Sequence, residues 1–373
     1  MIPLLFLLAI FGAGCLPPAS TVSSPAVKIP PSLQREAKAV TVVATDFKIP
    51  WGIAFLPNGD LLITERPGVL RVVRNPVIRE GQAEIVQSTK TILIQDVKQG
   101  GEGGLLGIAL HPDFKSNSFL YLFFTMTKAD GTNTNRVERY VFDGEQLTER
   151  TTIIENIPGA AYHDGGRLAF GPDGLLYITT GDATKSKFSQ DKNSLAGKIL
   201  RVKDDGTLPS DNPFGTAVYS YGHRNPQGLA WDDRGRLWAT EHGRSGVSSG
   251  LDEINLIEKG KNYGWPVIQG EEKKEGMTPP VIQSGPDVTW APSGIAFFDG
   301  RLFFAGLRGE TLYEYRIADN TIVPHMYQEF GRLRAVELGP DGYLYITTSN
   351  TDGRGTPKEG DDKVLRIEAK QLQ

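Results

Sequence analysis

The sequence contains almost no cysteine: Cys15 is the only one among 373 residues. A lone cysteine cannot form an intrachain disulfide, so the folded domain has to be stabilised by its hydrophobic core, with or without a bound metal ion. Neither sign of charge dominates, because 40 Lys and Arg residues stand against 44 Asp and Glu residues, for a net charge of -4. This balance gives no reason to expect a nucleic-acid partner, and we predict none.

Two common ligand-binding motifs are also missing. None of the five histidines lies in a His-Glu-x-x-His segment or at another zinc-binding spacing. The glycine-rich run GGEGG at residues 100–104 lacks the Lys-Ser/Thr pair of a phosphate-binding P-loop. The sequence therefore gives no support for zinc enzymes or nucleotide-binding enzymes of these types.

Residues 1–14 form an apolar segment that ends in small residues directly before Cys15. The segment is too short to span a bilayer and is typical of a secretory signal peptide, with Cys15 where a lipoprotein carries its lipid. Gly12 and the lack of an early Lys or Arg depart from that pattern, and plain secretion is the alternative. Residues 16–38 are rich in Pro, Ser and Ala, which predicts a flexible tether before a single domain over residues 39–373. We expect an exported protein, periplasmic or on the cell surface, that meets the membrane only through a lipid on Cys15.

From residue 51 onward the chain repeats an apolar strand, a turn with Pro-Asp-Gly or a similar sequence, and a second apolar strand. The copies cover residues 54–73, 109–142, 169–202, 230–257, 296–317 and 338–367. β-Branched and aromatic segments such as LLIT at 61–64 and LYIT at 176–179 flank these turns, which indicates antiparallel hairpins. Six such copies predict an all-β fold, a six-bladed β-propeller, with a two-sheet sandwich as the alternative. Loops from every blade of a propeller converge at its axis, so residues distant in sequence can share one site.

Two loop segments carry candidate catalytic groups. His163 precedes the first strand of the third copy, and Asp182 follows that copy's second strand. A carboxylate beside an imidazole can orient the ring as a general base. The stretch YGHRNPQGL at residues 221–229 gathers a guanidinium, a carboxamide and an imidazole, which are costly to bury without partners. We expect this stretch to face a polar ligand.

Arg332 and Arg334 are two residues apart, so an extended segment would present both guanidiniums on one face. Such a pair suits a ligand that bears carboxylates, and a solvated strand edge is the alternative. Arg308 lies at the same kind of loop one copy earlier. The long loop over residues 241–255 is closed by Asp252 and Glu253, and its oxygens are the kind that Ca²⁺ prefers, although it lacks the Asp/Asn ladder of an EF-hand.

Seven segments together resemble the soluble pyrroloquinoline quinone (PQQ) dependent glucose and aldose sugar dehydrogenases, a family of six-bladed quinoprotein propellers. They are PWGIAF at 50–55, GGLLG at 103–107, HDGGRL at 163–168, GHRNPQG at 222–228, DEIN at 252–255, NYGWP at 262–266 and APSG at 291–294. The resemblance runs through nearly the whole predicted domain. It implies that PQQ and Ca²⁺ are the cofactors, that an aldose is oxidised at C1 to its lactone, and that electrons pass to an external acceptor whose identity the sequence does not give.

The resemblance also implies a role for each matching residue. His163 is the base that takes the proton of the anomeric hydroxyl, Asp182 is the acid that lies beside it and near the substrate, and Arg224 stabilises negative charge on the reduced quinone. The residues that hold PQQ are Arg224, Asn225, Arg308, Arg332 and Arg334. Main-chain carbonyls of Gly243 and Arg244 bind the activating Ca²⁺, and Glu253 with the carbonyl of Tyr263 binds a second, structural Ca²⁺.

Two residues depart from the family pattern. Arg244 stands where proline is common, which a carbonyl ligand tolerates, because the side chain is not the ligand. Glu102 stands where a glutamine often contacts the substrate, so the position keeps an acceptor and loses a donor. The insertions that narrow sugar choice and build a dimer in some members are not evident, so we expect a broad aldose range and a monomer. The five tryptophans recur near strand ends and are expected to pack within the blades.

Two other functions remain as alternatives to a dehydrogenase. A calcium-dependent lactonase or esterase on the same fold would coordinate its metal with several side-chain carboxylates or amides and would not need three convergent arginines. A non-catalytic interaction propeller would show no shared placement of base, arginines and calcium loop, and fold alone does not fix function. The combination of these features in one chain favours the aldose dehydrogenase.

Overall fold

The computed structural model describes residues 40–74, 78–79, 82–83, 90–246 and 249–372. The predicted signal peptide, the lipidation site at Cys15 and the tether lie outside these residues. No helix in the described part of the chain is long and apolar enough to cross a membrane.

The prediction of an all-β, six-bladed propeller is confirmed. Six antiparallel sheets of four strands each make the blades. Blades one to three contain β2 (Pro50–Phe55), β3 (Leu61–Glu65), β4 (Val69–Val73) and β7 (Lys90–Leu93); β8 (Leu105–Leu110), β9 (Phe119–Thr127), β10 (Asn133–Phe142) and β11 (Leu147–Pro158); and β12 (Leu168–Phe170), β13 (Leu176–Thr180), β14 (Lys198–Val202) and β15 (Val218–Tyr221).

Blades four to six complete the ring. They contain β16 (Pro226–Trp231), β17 (Leu237–Glu241), β18 (Glu253–Ile257) and β19 (Ile282–Gln283); β20 (Pro292–Phe298), β21 (Arg301–Gly306), β22 (Thr311–Arg316) and β23 (Thr321–His325); and β24 (Leu333–Leu338), β25 (Leu344–Thr348), β26 (Val364–Ile367) and β1 (Val40–Ala44). A two-stranded ribbon of β5 (Ile78–Arg79) and β6 (Gln82–Ala83), the one-turn helices α1 (Phe114–Asn117) and α2 (Lys187–Gln190), and a 3-10 helix (Ala369–Gln371) lie outside the blades.

The ring is closed by pairing the first strand of the domain with the last. β1 runs antiparallel to β26, with Val40 opposite Ile367 and Val42 opposite Leu365. The repeat pattern of the sequence did not include β1, because this strand lacks a hairpin partner next to it in the chain. The first strands of neighbouring blades contact one another all the way around the axis.

The predicted Asp-Gly turns are confirmed in the blades. Gly174 and Gly342 have φ values of 73° and 80°, which a residue with a Cβ adopts only at a cost. Their N–H groups donate to the carbonyls of Gly171 and Gly339, at 2.9 and 3.0 Å. These turns join the first and second strands of blades three and six at the same face of the ring.

The second strand of each blade lies between the first and third strands of its own sheet, and adjacent blades pack on its faces. All five residues of β3, β13, β17 and β25 are buried. The hydrophobic clusters therefore lie between adjacent blades, as for Leu106, Tyr121 and Phe123 of blade two, which pack with Leu176 and Ile178 of blade three.

This strand order decides which loops meet. The first strand of each blade starts at one mouth of the ring, and the antiparallel second strand ends at that same mouth. The loops before the first strands and after the second strands therefore surround one opening. His163, Arg224 and Arg332 precede first strands, whereas Asp182, Gly243 and Arg308 follow second strands.

Candidate active site

A cavity of about 410 Å³ opens at this mouth. Its wall comes from both kinds of loop and contains many charged residues. The charged side chains in the wall are Glu102, Arg244, Asp252, Arg308, Arg332 and Arg354, and the imidazoles are His163 and His242. Four arginines with only two carboxylates make the lining suited to an anionic ligand.

His163 and Asp182 meet as predicted. Nδ1 of His163 lies 2.7 Å from Oδ1 of Asp182, and Asp182 is almost fully buried. Because a carboxylate oxygen accepts, Nδ1 carries the proton and Nε2 keeps a lone pair, which is the tautomer a general base requires. His163 also adopts a φ of 64°, a left-handed conformation that costs a non-glycine residue about 1 kcal/mol. Strain of this kind is often found where a side chain has to be aimed at a ligand.

Two further donors fix the carboxylate of Asp182. The indole N–H of Trp265 donates to Oδ2 at 2.9 Å, and the backbone N–H of Thr184 donates to Oδ1 at 2.8 Å. Trp265 was expected to pack within a blade, and its role as a donor to Asp182 differs from that expectation. With both oxygens engaged, Asp182 cannot turn away from His163.

Glu102 lies next to His163. Its Oε2 accepts the backbone N–H of His163 at 3.1 Å, and its Oε1 accepts from Arg354 at 2.9 Å. Burial opposes ionisation of Glu102, but attraction to His242 and the bonds from His163 and Arg354 outweigh it and hold the pKa at about 2. Glu102 is therefore a carboxylate at working pH. Burial also lowers the pKa of His242 to about 3.

Arg224 and Asn225 lie behind the cavity wall. Glu241 accepts the backbone N–H of Arg224, and the guanidinium of Arg224 donates to Ser245 Oγ at 2.7 Å and to the carbonyl of His242 at 3.4 Å. Oδ1 of Asn225 accepts from Gly165 N–H at 3.0 Å, whereas its buried Nδ2 has no hydrogen-bond partner within the described residues. A buried amide with an unused donor is suited to a ligand oxygen.

The three arginines predicted to hold a carboxylate-bearing ligand do not share one position. Arg308 lines the cavity and donates to Ser249 Oγ at 2.7 Å. Arg332 also lines it, but its charge is balanced by Asp352, whose Oδ2 lies 2.8 Å from Nη2. Arg334 lies outside the cavity wall, where Nη1 donates to Gln227 Oε1 at 2.6 Å and its Cζ is 5.7 Å from the Trp51 ring. Arg334 still lies near Arg332, because Asp352 and Arg332 both affect the pKa of its guanidinium, which burial lowers to about 9.

The predicted calcium loop has one end in the cavity wall. Gly243 and Arg244 both line the cavity, and the N–H of Gly243 donates to Asp252 Oδ1 at 2.8 Å. A Cβ on Gly243 would lie 2.2 Å from the Leu251 carbonyl oxygen, so only glycine allows the loop to close this tightly. No group of three or more His, Cys, Asp or Glu side chains is placed to hold a metal in the part of the chain that the structure describes. The predicted ligands at Gly243, Arg244 and Tyr263 are main-chain carbonyls, which are not side chains of this kind.

Glu253 is a half-buried residue that forms no ion pair with a Lys, Arg or His among the described residues. Burial raises the pKa of Glu253 to about 8, and repulsion from Glu241 and Asp252 raises it too. A hydrogen bond from Asn255 acts in the opposite direction. Glu241 and Glu253 face each other across β17 and β18. Tyr263 follows in the next loop, where its ring stacks on His223 and its hydroxyl donates to the Leu256 carbonyl at 2.6 Å.

A larger cavity, of about 630 Å³, lies at the other mouth of the ring. Its wall is formed mainly by apolar residues of the six first strands, with Arg167 and Glu337 as its charged side chains. Volume alone would favour this cavity, but the candidate base and its acid lie at the smaller one.

Sequence reasoning missed three residues at the smaller cavity: Arg354, Asp352 and Trp265. Arg354 and Asp352 belong to a loop with no motif of its own. Trp265 is 83 residues from Asp182, and Arg354 is 252 residues from Glu102. The only signal for Trp265 was its place in the segment NYGWP at 262–266.

Comparisons with known proteins identify the family of this chain. The chain matches the family model described as glucose / sorbosone dehydrogenase over residues 47–357. The aldose sugar dehydrogenase YliI of Escherichia coli (strain K12) is 33% identical over 350 residues, 84% of this chain and 91% of that protein. The quinoprotein glucose dehydrogenase B of Acinetobacter calcoaceticus is 32% identical over 286 residues, 67% of this chain and 58% of that protein.

A solved structure shows the same similarity in three dimensions. The PQQ-bound form of aldose sugar dehydrogenase from Streptomyces coelicolor superposes with a TM-score of 0.78 at 42% identity, covering 88% of this chain and 98% of that one. The family match begins before β2 and ends after β25, so it extends over most of the propeller. This chain therefore belongs to the glucose / sorbosone dehydrogenase family.

Proposed function

We propose that this protein is a PQQ- and Ca²⁺-dependent dehydrogenase that oxidises aldose sugars at C1 to the lactone and passes the electrons to an external acceptor. The observation that carries the proposal is the His163–Asp182 pair beside an arginine-lined cavity, in a chain of the glucose / sorbosone dehydrogenase family. The relatives named above for PQQ and for quinoprotein chemistry support the choice of cofactor.

The residues of the cavity fit a ligand rich in carboxylates and carbonyl oxygens, as PQQ is. Buried nitrogens without a partner in the described residues include Nδ2 of Asn225, Nε of Arg244 and Nε of Arg334. Arg308 adds a cation whose only hydrogen-bond partner among these residues is a serine hydroxyl. Unused buried donors of this kind are unfavourable unless a ligand accepts from them. Arg224, Asn225 and Arg308 are the first candidates to hold PQQ, and Arg332 and Arg334 are the next candidates.

Two features fit bound calcium. Gly243 and Arg244 lie at the cavity, where their carbonyls could reach a cation that also touches the cofactor. Glu253 is paired with Glu241 across β17 and β18, and a cation there would offset the desolvation and the repulsion from Glu241 that raise its pKa. We assign the activating Ca²⁺ to the carbonyls of Gly243 and Arg244, and a structural Ca²⁺ to Glu253 and the Tyr263 carbonyl.

The protein's own groups supply proton transfer and orientation. Nε2 of His163 accepts the proton of the C1 hydroxyl, and Asp182 stabilises the imidazolium that forms. Bound PQQ, polarised by Ca²⁺, supplies the acceptor for the hydride that leaves C1. Loss of that hydride and that proton leaves a C1 carbonyl, which is the lactone. Arg224 would stabilise the negative charge that develops on the reduced quinone, and its guanidinium lies 5.4 Å from the ring of Trp265, which donates to Asp182.

The cellular context belongs to the same proposal. We propose an exported protein in the periplasm or at the cell surface, anchored only by a lipid on Cys15, and active as a monomer. The external acceptor then takes electrons at the open mouth of the cavity.

The test is dye-linked oxidation of an aldose panel by the purified protein, with PQQ and Ca²⁺ added together, separately and not at all. Activity that requires both, with lactone as the product by NMR, is the expected result. Lactone or ester hydrolysis without PQQ would support the lactonase instead. Binding of PQQ without oxidation of any aldose would refute the proposed substrate class.

A further inference from the structure

Arg354 stands in the cavity wall although no part of the proposed chemistry uses it. It lies in the loop after β25, where its backbone N–H donates to Asp352 Oδ1 at 2.8 Å. The other oxygen of Asp352 accepts from Arg332. A Cβ on Gly355 would lie 2.9 Å from Cδ of Arg332, so the loop packs directly against that side chain. The position of Arg354 at the cavity is thus fixed by its own loop.

Arg354 makes one ion pair, with Glu102 across the mouth. Its Nη1 donates to Glu102 Oε1 at 2.9 Å, and its Cζ lies 5.6 Å from the centre of the Tyr162 ring. Nη1 is its only side-chain nitrogen with an acceptor among the described residues, and 48% of the side chain is exposed. The remaining N–H groups of the guanidinium are available to a molecule in the cavity.

Glu102 and Arg354 have complementary hydrogen-bonding groups. As a carboxylate it accepts hydrogen bonds and donates none. It also accepts the backbone N–H of His163, which places it directly beside the candidate base. Glu102, Arg354 and His163 line the same cavity, so a sugar that contacts His163 shares the cavity with both charged groups.

We propose that Arg354 is a specificity-determining residue, which donates to one sugar hydroxyl while Glu102 accepts from the adjacent hydroxyl. The inference rests on the proposed function and extends it to the part of the sugar that the site recognises. Oε1 of Glu102 and Nη1 of Arg354 are 2.9 Å apart, a spacing that suits hydroxyls on neighbouring ring carbons. Together they supply the donor and the acceptor that a single glutamine would combine.

The test compares Arg354→Met with wild type on glucose, 2-deoxyglucose and 3-deoxyglucose. Wild type should prefer glucose in kcat/KM, and Arg354→Met should lose about tenfold of its preference over at least one deoxy sugar, the value of one charged hydrogen bond. PQQ affinity, measured by titration of bound-cofactor absorbance, should stay the same in the variant. Equal loss of kcat/KM for all three sugars would indicate a structural role and would overturn the proposal, as would no change at all.

Arg366→Met is the matched control. Arg366 also pairs with a carboxylate, Asp341, and its guanidinium also lies over a tyrosine, Tyr343, but it does not line the cavity. Its removal should leave the ratios among the three sugars unchanged. A change in the control equal to that in Arg354→Met would assign both effects to general loosening of blade six and would refute the proposal.

A second pair of variants tests the complementarity itself. Glu102→Gln supplies an N–H donor beside His163, so removal of Arg354 in that background should reduce the preference by less than it does in wild type. Equal effects in both backgrounds would show that Arg354 and Glu102 do not act on the sugar together. If wild type oxidises no aldose with PQQ and Ca²⁺ present, the proposed function fails and this inference fails with it.

Discussion

His163 and His325 make the same contact in two different parts of the propeller. Nδ1 of His163 lies 2.7 Å from Asp182, and Nε2 of His325 lies 2.8 Å from Glu314. The His163 side chain is 15% exposed and lines the cavity, whereas His325 and Glu314 are fully buried in blade five. A histidine–carboxylate pair alone is thus no sign of catalysis, and access to a cavity separates the two.

The two carboxylates, Glu314 and Asp182, also differ in the charge of their other hydrogen-bond partners. Glu314 lies 2.7 Å from the Nε of Arg316 and 3.6 Å from the Nη1 of Arg301, so its charge is compensated inside the blade. Asp182 receives neutral donors, an indole and a backbone N–H, which orient it without removing its charge. We infer that the Glu314 pair stabilises the fold and that the Asp182 pair serves chemistry.

The largest effect is expected from His163→Ala. Without the base, turnover of aldose should fall about a thousandfold, because general-base catalysis contributes on that order. PQQ affinity and the melting temperature should change little, since His163 lies at the cavity and not in a blade core. Simultaneous loss of PQQ binding would instead indicate a collapsed mouth.

His325→Ala should have the opposite profile. Removing one hydrogen-bond partner of a buried carboxylate costs about 2 kcal/mol of unfolding free energy, which denaturant titration can measure. The protein that remains folded should oxidise aldose at the wild-type rate per bound PQQ. A variant as stable as wild type would show that the Glu314 arginines alone satisfy that carboxylate.

The Glu314 pair also predicts a pH dependence of stability. Burial opposes ionisation of Glu314, but the bonds from His325 and Arg316 prevail and lower its pKa from 4.5 to about 2. A carboxyl with a depressed folded pKa stabilises the protein above its unfolded pKa, and the contribution is lost as pH falls through the folded pKa. The stability difference between wild type and Glu314→Gln should therefore be full above pH 4.5 and shrink towards pH 2. A difference that stays constant across this range would contradict the ion pair.

The smallest effect is expected from Trp265→Phe. The ring is kept, but one hydrogen bond to Asp182 is lost, worth about 1 kcal/mol, so kcat should fall by about fivefold. We expect Trp265→Phe to lower kcat and to leave the melting temperature unchanged. Steady-state kinetics with a parallel melting curve will separate the two effects. A fall in melting temperature at constant kcat would return Trp265 to the packing role expected from the sequence.

Local sequence signals were sufficient for the fold and for the central pair. Hairpin signals repeated six times gave the number of blades, and the loop positions of His163 and Asp182 followed from where first strands begin and second strands end. The closing strand β1 was not found, because its partner β26 is at the other end of the domain.

The arginines show where local signals end. The spacing of Arg332 and Arg334 gave no sign of their partners, which are Asp352 for Arg332 and Gln227 for Arg334. The pairing of Glu102 with Arg354 and of Asp182 with Trp265 depends on loops of different blades that meet at the mouth. No periodicity within one segment records such contacts.

The most direct measurement is a single turnover. PQQ-loaded protein with Ca²⁺ is mixed with excess glucose without an external acceptor, and the absorbance of the bound quinone and the amount of lactone are followed together. The account predicts reduction of the bound quinone with one lactone formed per PQQ, and no reduction on this timescale in His163→Ala. Bound PQQ that stays oxidised in wild type with every aldose would contradict it.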